Sequence, residues 1–257
     1  MTQKNEPFFR KDGDLFVPTT AGIGPWDKNS LHGRVIIGLL GAEIERRHGS
    51  TEYMPARLTV DMYKLPDLSP VEVVTRAVKD GYRIKVIDAE FISGGVSAGR
   101  ATCQLLRKTE NAPGNVWKRE PWGAPAPDDT PPQEGPMGGM WKMRPISGTM
   151  RGFEPRRTWM AEVRDIVEGL DLTPFQRVAV AADFASPFAH VGDQGLGYIN
   201  TDVTVYLHRE PVGEWIGFES LTHGATDGVA VGDCLLHDIE GHIGSASCTA
   251  LAQKRKL

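Results

Sequence analysis

The sequence contains a weak copy of itself displaced by 145 residues, and this repeat limits the possible folds more than any other feature. Residues 58–108 align without a gap with residues 203–253, and nine of the 51 positions are identical. The identical pairs are Thr59 and Thr204, Val60 and Val205, Pro66 and Pro211, Val86 and Val231, Asp88 and Asp233, Gly99 and Gly244, Ala101 and Ala246, Cys103 and Cys248, and Leu106 and Leu251. The constant offset and the shared order of strand and turn signals predict two tandem copies of one unit. Residues 145 apart are called equivalent below.

The segment between the two copies differs from them in composition. Eight of the 18 prolines lie between Asn111 and Pro145. Because proline fixes φ and lacks an N–H donor, neither a helix nor a central strand can run through this stretch. We therefore predict an N-terminal repeat over residues 1–110, an extended Pro/Gly-rich linker over 111–150 and a C-terminal repeat over 151–257. Tryptophans are expected to attach the linker to the body: Trp117, Trp122 and Trp141.

Each half has the same predicted order of elements: a strand, a buried helix and four antiparallel strands. The first helix, Val35–Arg47, is apolar almost all round, which predicts burial on most sides. The second begins after Thr173 and Pro174, a cap followed by a proline in the first turn. Hairpin turns are indicated by Asp80-Gly81, Gly94-Gly95 and Asp227-Gly228. A strand, a central helix and four strands wrapped around it form a hotdog fold, so the sequence predicts an α+β double hotdog.

Three stretches carry a resemblance to a known family. They are GPWDKNSLHGR before the first helix, VAVAADFASP in the second helix and NTDVTVYLHREPVGEWIGFES after it. With these motifs the chain resembles the acyl-CoA thioesterase II family and its thioesterase-like relatives, over nearly its whole length apart from the linker. The resemblance implies two hotdogs paired within one chain, an acyl-CoA substrate, a role in fatty acid metabolism, and no metal or organic cofactor. Hotdog pairs often assemble further, so the resemblance leaves a homo-oligomer open, and the sequence does not give the oligomeric state.

Composition excludes several other classes of protein. The chain has a net charge of −4 and a pI of about 6.0, whereas a nucleic-acid-binding protein would carry a basic surface. No apolar run approaches the roughly 20 residues that a membrane-spanning helix needs. The N-terminal residues have no apolar signal core, and three cysteines are too few for a disulfide framework. We therefore expect a cytoplasmic protein.

The two copies differ at one polar position. Gly38 of the first helix is equivalent to Asp183 of the second, which is flanked by Ala181, Ala182 and Phe184. A carboxylate on such an apolar wall is expected to be buried, and burial is expected to raise its pKa. Functional sites accept such costs. The alternative is that Asp183 lies at the helix edge, where it reaches solvent or caps a backbone group.

The resemblance implies a catalytic triad that holds a water molecule against a thioester carbonyl. In the family it consists of an aspartate on the second helix, a threonine or serine on the next strand and a glutamine on the last strand. Asp183 matches the aspartate. The strand position falls on Asn200, with Thr201 beside it, and the last-strand position falls on Thr249. Two of the three members are thus replaced by other polar residues that can still hydrogen-bond a water molecule.

The mechanism implied is general-base hydrolysis by Asp183, with the water positioned by Asn200 or Thr201 and by Thr249. Backbone N–H groups at the start of the first helix are expected to bind the substrate and stabilise the oxyanion. This start reads His32-Gly33-Arg34 where many relatives have His-Gly-Gly. The alternative for His32 is a loop histidine that caps the helix.

Two other functions remain open at this level. The first is a non-catalytic acyl-CoA-binding protein that has lost the water-holding side chains. The second is a hotdog enoyl-CoA hydratase, because Asp183 and His190 resemble the Asp-x-Asn-Pro-x-His pattern of those enzymes, although the histidine is two residues too far and the asparagine is missing. Cys103 and Cys248 occupy equivalent strand positions and are predicted to be core residues rather than nucleophiles.

Overall fold

The computed structural model describes residues 5–133 and 141–253. Within these ranges thirteen strands form one antiparallel sheet, three α-helices pack against it, and two short strands form a separate ribbon. None of the helices in the described part of the chain combines the length and the apolar composition needed to cross a bilayer.

The elements of the first half are β1 (Phe9–Asp12), β2 (Leu15–Pro18), α1 (Gly33–His48), β3 (Tyr53–Met62), β4 (Val71–Asp80), β5 (Ile84–Ser93) and β6 (Val96–Arg107). Those that follow are β7 (Lys142–Ser147), β8 (Arg157–Ala161), α2 (Pro174–Ala182), α3 (Ala185–His190), β9 (Val191–Gly192), β10 (Gly195–Leu196), β11 (Tyr198–Asn200), β12 (Asp202–Leu207), β13 (Ile216–Thr226), β14 (Val229–Asp238) and β15 (Gly241–Ala252).

The 145-residue offset of the sequence reappears in the strands. Strands β5 and β14 are equivalent at both ends, as are β6 and β15, and β4 and β13 begin at equivalent residues. The sheet order is β1-β2-β4-β5-β6-β3-β12-β15-β14-β13-β8-β7, with β11 also paired to β15. At its centre, Thr59 of β3 lies opposite its own equivalent, Thr204 of β12, and their hydroxyl oxygens are 3.1 Å apart. The halves therefore meet about a local twofold axis.

Helix α1 is buried because the sheet covers it on one side and α2 on the other. Residues 34–44 are all buried, which explains why the helix is apolar almost all round. Small residues allow α2 to approach closely. A Cβ atom at Gly38 would lie 2.6 Å from Val180, and one at Gly41 would lie 3.0 Å from Ala179. The two helices run antiparallel, so that the start of each lies beside the end of the other.

The second helix is interrupted after Ala182, although the apolar stripe gave no sign of a break. Pro187 of α3 has no N–H to donate to the carbonyl of Asp183, four residues earlier. Ser186 donates to that carbonyl instead at 3.3 Å, and Phe184 donates to Ala181 at 2.9 Å. These tighter bonds turn the chain at Asp183 and place its side chain at the end of α2.

The linker is attached by two of the three predicted tryptophans. Trp122 stacks on His237 with ring centroids 4.1 Å apart, and Trp141 is buried. The prediction for Trp117 is wrong, because its side chain is 84% exposed. The linker also contributes an edge strand, β7, which tolerates Pro145 because one side of an edge strand needs no partner. Residues 134–140 of the predicted linker lie outside the described residues.

Two equivalent glycines generate a stability prediction. A Cβ atom at Gly244 would lie 1.9 Å from the carbonyl oxygen of Tyr206, and one at Gly99 would lie 2.7 Å from that of Asp61. We expect Gly244→Ala to lower the free energy of unfolding by about 2–3 kcal/mol, and Gly99→Ala to lower it less. Chemical denaturation measures both. The control is Gly224→Ala, on an exposed part of β13 with open space around it. Equal stabilities of the Gly244 and Gly224 variants would contradict the packing argument.

Candidate active site

A cleft of about 380 Å³ lies where the start of α1 meets the end of α2. Both halves and the linker contribute to its walls. The residues that line it include Trp26, His32, Gln133, Trp141, Arg151, Asp183, Leu196 and Asn200. Apolar and aromatic side chains thus surround a few polar groups, as is usual for small-molecule sites.

Asp183 is the buried polar centre of this cleft. The residue is 5% exposed, so it does not extend into solvent at a helix edge. Its Oδ2 atom lies 2.9 Å from His32 Nδ1, and its Oδ1 accepts a hydrogen bond of 2.9 Å from the Asn200 amide. The structure therefore brings together three residues that the sequence proposed, one from the first half and two from the second.

The expectation that burial raises the pKa of Asp183 is wrong. Desolvation does act in that direction and is the largest single effect, but His32, Asn200 and Arg34 act against it. Hydrogen bonds from His32 and Asn200, with the charges of His32 and Arg34, hold the pKa of Asp183 below its ordinary value. The carboxylate is consequently ionised at neutral pH.

His32 is both the N-cap of α1 and the partner of Asp183. Its Nδ1 atom lies 3.2 Å from the backbone N of Arg34 and 2.9 Å from Asp183 Oδ2. Nδ1 cannot accept from the first and donate to the second at once. The shorter, charge-assisted contact places the proton on Nδ1, directed at Asp183. The alternative interpretation of His32 as a capping residue therefore describes only part of its surroundings.

Gly33 allows the start of α1 to approach the carboxylate. A Cβ atom at this position would lie 2.4 Å from Asp183 Oδ1, so no other residue fits without displacing Asp183. The positive dipole end of α1 is thereby placed beside an anion.

The Arg34 side chain does not reach the cleft. It is 2% exposed, and its Nη1 donates to Glu162 Oε2 at 3.2 Å. The guanidinium also lies over the Trp141 ring, 4.2 Å from the centroid. The side chain of Arg34 therefore cannot take the predicted substrate-binding role, and its backbone N lies at the start of α1, 3.2 Å from His32 Nδ1.

Thr249 does not converge on Asp183 and Asn200, contrary to the sequence alignment. It is exposed on β15, whereas its neighbours Cys248 and Ala250 are buried, so its side chain lies on the outer face of the sheet. There its hydroxyl lies 2.8 Å from that of Thr201 and donates to Asp202. Because side chains alternate between faces along a strand, Thr249 lies on the face of β15 opposite to that of Cys248 and Ala250.

Besides Ser186, which follows Asp183 in the second-helix motif, two polar residues that line the cleft carry no signal in the sequence. Gln133 comes from the linker, where its backbone N–H donates to the carbonyl of Met143 at 2.8 Å. Arg151 is an exposed cation at the rim. Neither lies in a periodic pattern or a recognisable motif, so only the path of the chain reveals them.

His190 lies in a different cluster and does not line the cleft. Its Nδ1 is 2.8 Å from His223 Nδ1, and its Nε2 is 3.5 Å from Cys248 Sγ. Burial, and then the charge of His223, lowers the pKa of His190 to about 4. The hydratase alternative requires this histidine beside Asp183, an arrangement that the structure does not contain.

The cysteines at equivalent positions are buried core residues. Burial raises the pKa of the Cys103 and Cys248 thiols to about 12, so neither forms the thiolate that a nucleophile needs. Among residues 5–133 and 141–253, no group of three or more histidine, cysteine or acidic side chains is arranged to hold a metal ion.

Comparison with solved structures identifies the fold as a hotdog. A candidate thioesterase from Novosphingobium aromaticivorans superposes with a TM-score of 0.73 and 16% identity, covering 97% of this chain and 99% of its own. A hot dog fold protein from Alicyclobacillus acidocaldarius gives 0.72 and 14%, with 95% of each chain covered. The acyl-CoA thioesterase II TesB2 from Mycobacterium marinum gives 0.68 and 13%, also with 95% of each covered. No curated protein shows significant sequence similarity.

The family follows from the sequence rather than from these structures. Residues 120–251, just over half of the chain, match the family described as the acyl-CoA thioesterase C-terminal domain. The matched range contains both Asp183 and Asn200. The chain therefore belongs to the acyl-CoA thioesterase family.

Proposed function

We propose that this protein hydrolyses an acyl-CoA thioester to the free acid and coenzyme A. The observation that carries the proposal is the buried, ionised carboxylate of Asp183, held between His32 and Asn200 at the start of α1. A fixed anion in a largely apolar cleft can accept a proton from a water molecule, and the family supplies the class of substrate.

In the proposed mechanism Asp183 is the general base. A water molecule held by Asp183 and the Asn200 side chain attacks the thioester carbonyl as its proton passes to the carboxylate. The positive dipole end of α1, which lies beside Asp183, stabilises the oxyanion. The carbon–sulfur bond then breaks, and the proton held by Asp183 passes to the sulfur of the leaving thiolate.

We further propose that the two halves form a tandem double hotdog, with repeats over residues 1–110 and 151–257 and a linker over 111–150. The equivalent bounds of β5 and β14, and of β6 and β15, support this arrangement. So does the pairing of Thr59 with its own equivalent, Thr204. The site then belongs to both repeats, because His32 comes from one and Asp183 from the other.

A non-catalytic acyl-CoA-binding protein is the second candidate. It is favoured by the position of Thr249, since only Asp183 and Asn200 of the proposed triad contact each other. Gln133, which lines the same cleft, offers a third polar side chain for the catalytic alternative.

Substitution of the proposed base separates the two candidates. We expect Asp183→Asn to lower kcat for acyl-CoA hydrolysis about 10²- to 10⁴-fold, because an amide cannot accept the proton. Thiol release from a panel of acyl-CoAs, read with a thiol reagent, measures this. Asp193→Asn makes the same change at an exposed position near the rim and should leave kcat unaltered. Tight acyl-CoA binding without thiol release by the unmodified protein would favour the binding protein instead.

Arg151 provides a test of how the coenzyme lies. If its guanidinium interacts with the phosphates of coenzyme A, Arg151→Gln should raise KM for acyl-CoA about two- to fivefold, as expected for an exposed charge pair. It should not change KM for the same acyl group on N-acetylcysteamine, which has no phosphates. Arg83→Gln removes the same charge from an exposed hairpin on the first half and serves as the control. Equal effects on both substrates would exclude a phosphate contact.

A further inference from the structure

A second pocket, of about 410 Å³, lies at the opposite end of the helix pair. There the end of α1 meets the start of α2. Its walls are largely apolar and include Ile44, Tyr53, Leu105 and Phe175. Two carboxylates line it, Glu45 beside the N-cap of α2 and Glu210. The mechanism proposed above does not use this pocket.

The second pocket is the equivalent of the first in the other half. Ser50, Thr51 and Pro55 line the second pocket. Their equivalents, Gly195, Leu196 and Asn200, line the cleft at Asp183. Each pocket also contains the N-cap residue of a helix from the opposite half, Thr173 of α2 in one and His32 of α1 in the other. The local twofold arrangement of the sheet thus extends to the pockets.

Glu45 is held as Asp183 is held. Its Oε2 accepts hydrogen bonds of 2.7 Å from the Thr173 hydroxyl and 2.7 Å from the Gln176 amide. The Thr173 hydroxyl in turn accepts from the backbone N–H of Gln176 at 3.2 Å, which fixes its direction. Each site therefore combines a carboxylate, an N-cap side chain from the other half and an amide. At Glu45 both donors bind one oxygen, and Oε1 has no hydrogen bond to any residue that the structure describes.

The carboxylate of the first half, Glu45, does not lie at the position equivalent to Asp183. Asp183 is equivalent to Gly38, where Val180 fills the space that a side chain would occupy. Glu45 lies seven residues further, which is two turns along the same face of α1. Helix α2 begins at Pro174, and its N-cap Thr173 lies beside this part of α1. Glu45 therefore meets the start of a helix from the other half.

The surroundings of the two carboxylates shift their proton affinities in opposite directions. Desolvation raises the pKa of Glu45, the charge of Glu210 raises it further, and the bonds from Thr173 and Gln176 only partly oppose this. The pKa of Asp183 is lowered instead. A carboxylate with a raised pKa is the stronger base once ionised.

We propose that the second pocket is a second acyl-thioester site, in which Glu45 is the general base. The choice of ligand class rests on the function proposed for the first cleft. A water molecule adds its oxygen to the thioester carbonyl while one of its protons passes to Glu45 Oε1. The carbon–sulfur bond then breaks with its electron pair going to sulfur, and that proton passes from Glu45 to the thiolate. The backbone N–H of Phe175, in the first turn of α2, is available to the oxyanion.

The charges around the pocket favour a thioester whose thiol portion is uncharged. The only cation among its lining residues, Lys108, lies 3.9 Å from the carboxylate of Glu210. Two carboxylates and one paired lysine do not attract phosphates, whereas the lining of the first cleft combines Arg151 with a single acid, Asp183. An acyl-N-acetylcysteamine is therefore the appropriate probe.

Four proteins test the catalytic part: the unmodified chain, Asp183→Asn, Glu45→Gln and the double variant. With acyl-N-acetylcysteamine, Asp183→Asn should keep a residual rate at least tenfold above that of the double variant. If the double variant is as fast as Asp183→Asn, Glu45 is not a base and the proposal is overturned. If Asp183→Asn has no effect on hydrolysis of any thioester, it is the function proposed for the first cleft that fails, so the two failures are distinguishable.

Binding stoichiometry tests the pocket independently of turnover. Thr51→Trp and Leu196→Trp place the same bulky side chain at equivalent positions of the two pockets. Calorimetric titration with a non-hydrolysable acyl thioether of N-acetylcysteamine should give two sites per chain for the unmodified protein and one for either variant. A single site that Thr51→Trp leaves intact would overturn the proposal. If Leu196→Trp removes the single site that is found, that site is the first cleft.

Glu45→Gln has a stability readout that verifies folding. The raised pKa means that the ionised carboxylate destabilises the folded state at neutral pH, and that this cost disappears as the pH falls below the ordinary pKa of glutamate. The amide oxygen of glutamine can still accept from Thr173 and Gln176. Glu45→Gln should therefore melt at a higher temperature than the unmodified chain at pH 7, with the difference vanishing near pH 4. A lower melting temperature at pH 7 would contradict this description of the site.

Discussion

The antiparallel contact between α1 and α2 places one carboxylate at each end of the helix pair. Gly33 of α1 lies against Asp183 at the end of α2, Gly41 lies against Ala179, and Glu45 at the far end of α1 bonds to Thr173. The start of one helix has unpaired N–H groups and a positive dipole end. Placing it beside the end of the other helix brings a carboxylate to a helix start at each end of the pair, with small residues in contact between the two ends.

The two ends are nevertheless electrostatically different. At Asp183 the helix start brings a histidine whose ring N–H is directed at the carboxylate, together with the nearby charge of Arg34, and these outweigh desolvation. At Glu45 the cap is a neutral hydroxyl, the first helical residue is Pro174 without an N–H, and Glu210 adds a negative charge. The pKa of the carboxylate is therefore lowered at one end of the helix pair and raised at the other, because the groups around the two acids differ in charge and hydrogen bonding.

Much of the fold could be predicted from the sequence because each strand pattern occurs in both copies of the repeat. The site was harder to predict, since its contacts join residues from different halves. The position of Asp183 followed from comparison with Gly38, but its pKa depends on His32, about 150 residues away in the chain. Thr249 was assigned to the wrong face, although Ala246, Cys248 and Ala250 alternate with polar residues and place Thr249 outward. The contact between Glu45 and Thr173 was not predicted, because the run Glu45-Arg46-Arg47-His48 is typical of a solvated helix end.

The linker contributes to the site for a topological reason. It leaves β6 in the middle of one half of the sheet and enters β7 at the far edge, seven strand positions away in the sheet order. At about 4.8 Å per strand this is roughly 34 Å, much less than an extended chain of this length would reach. The excess chain lets the linker follow the surface. It packs Trp122 on His237, brings Gln133 to the cleft and buries Trp141 beneath Arg34. The linker, whose described residues form little regular structure besides β7, thereby contributes one wall of the cleft. The positions of its residues follow from the strand order rather than from the local sequence.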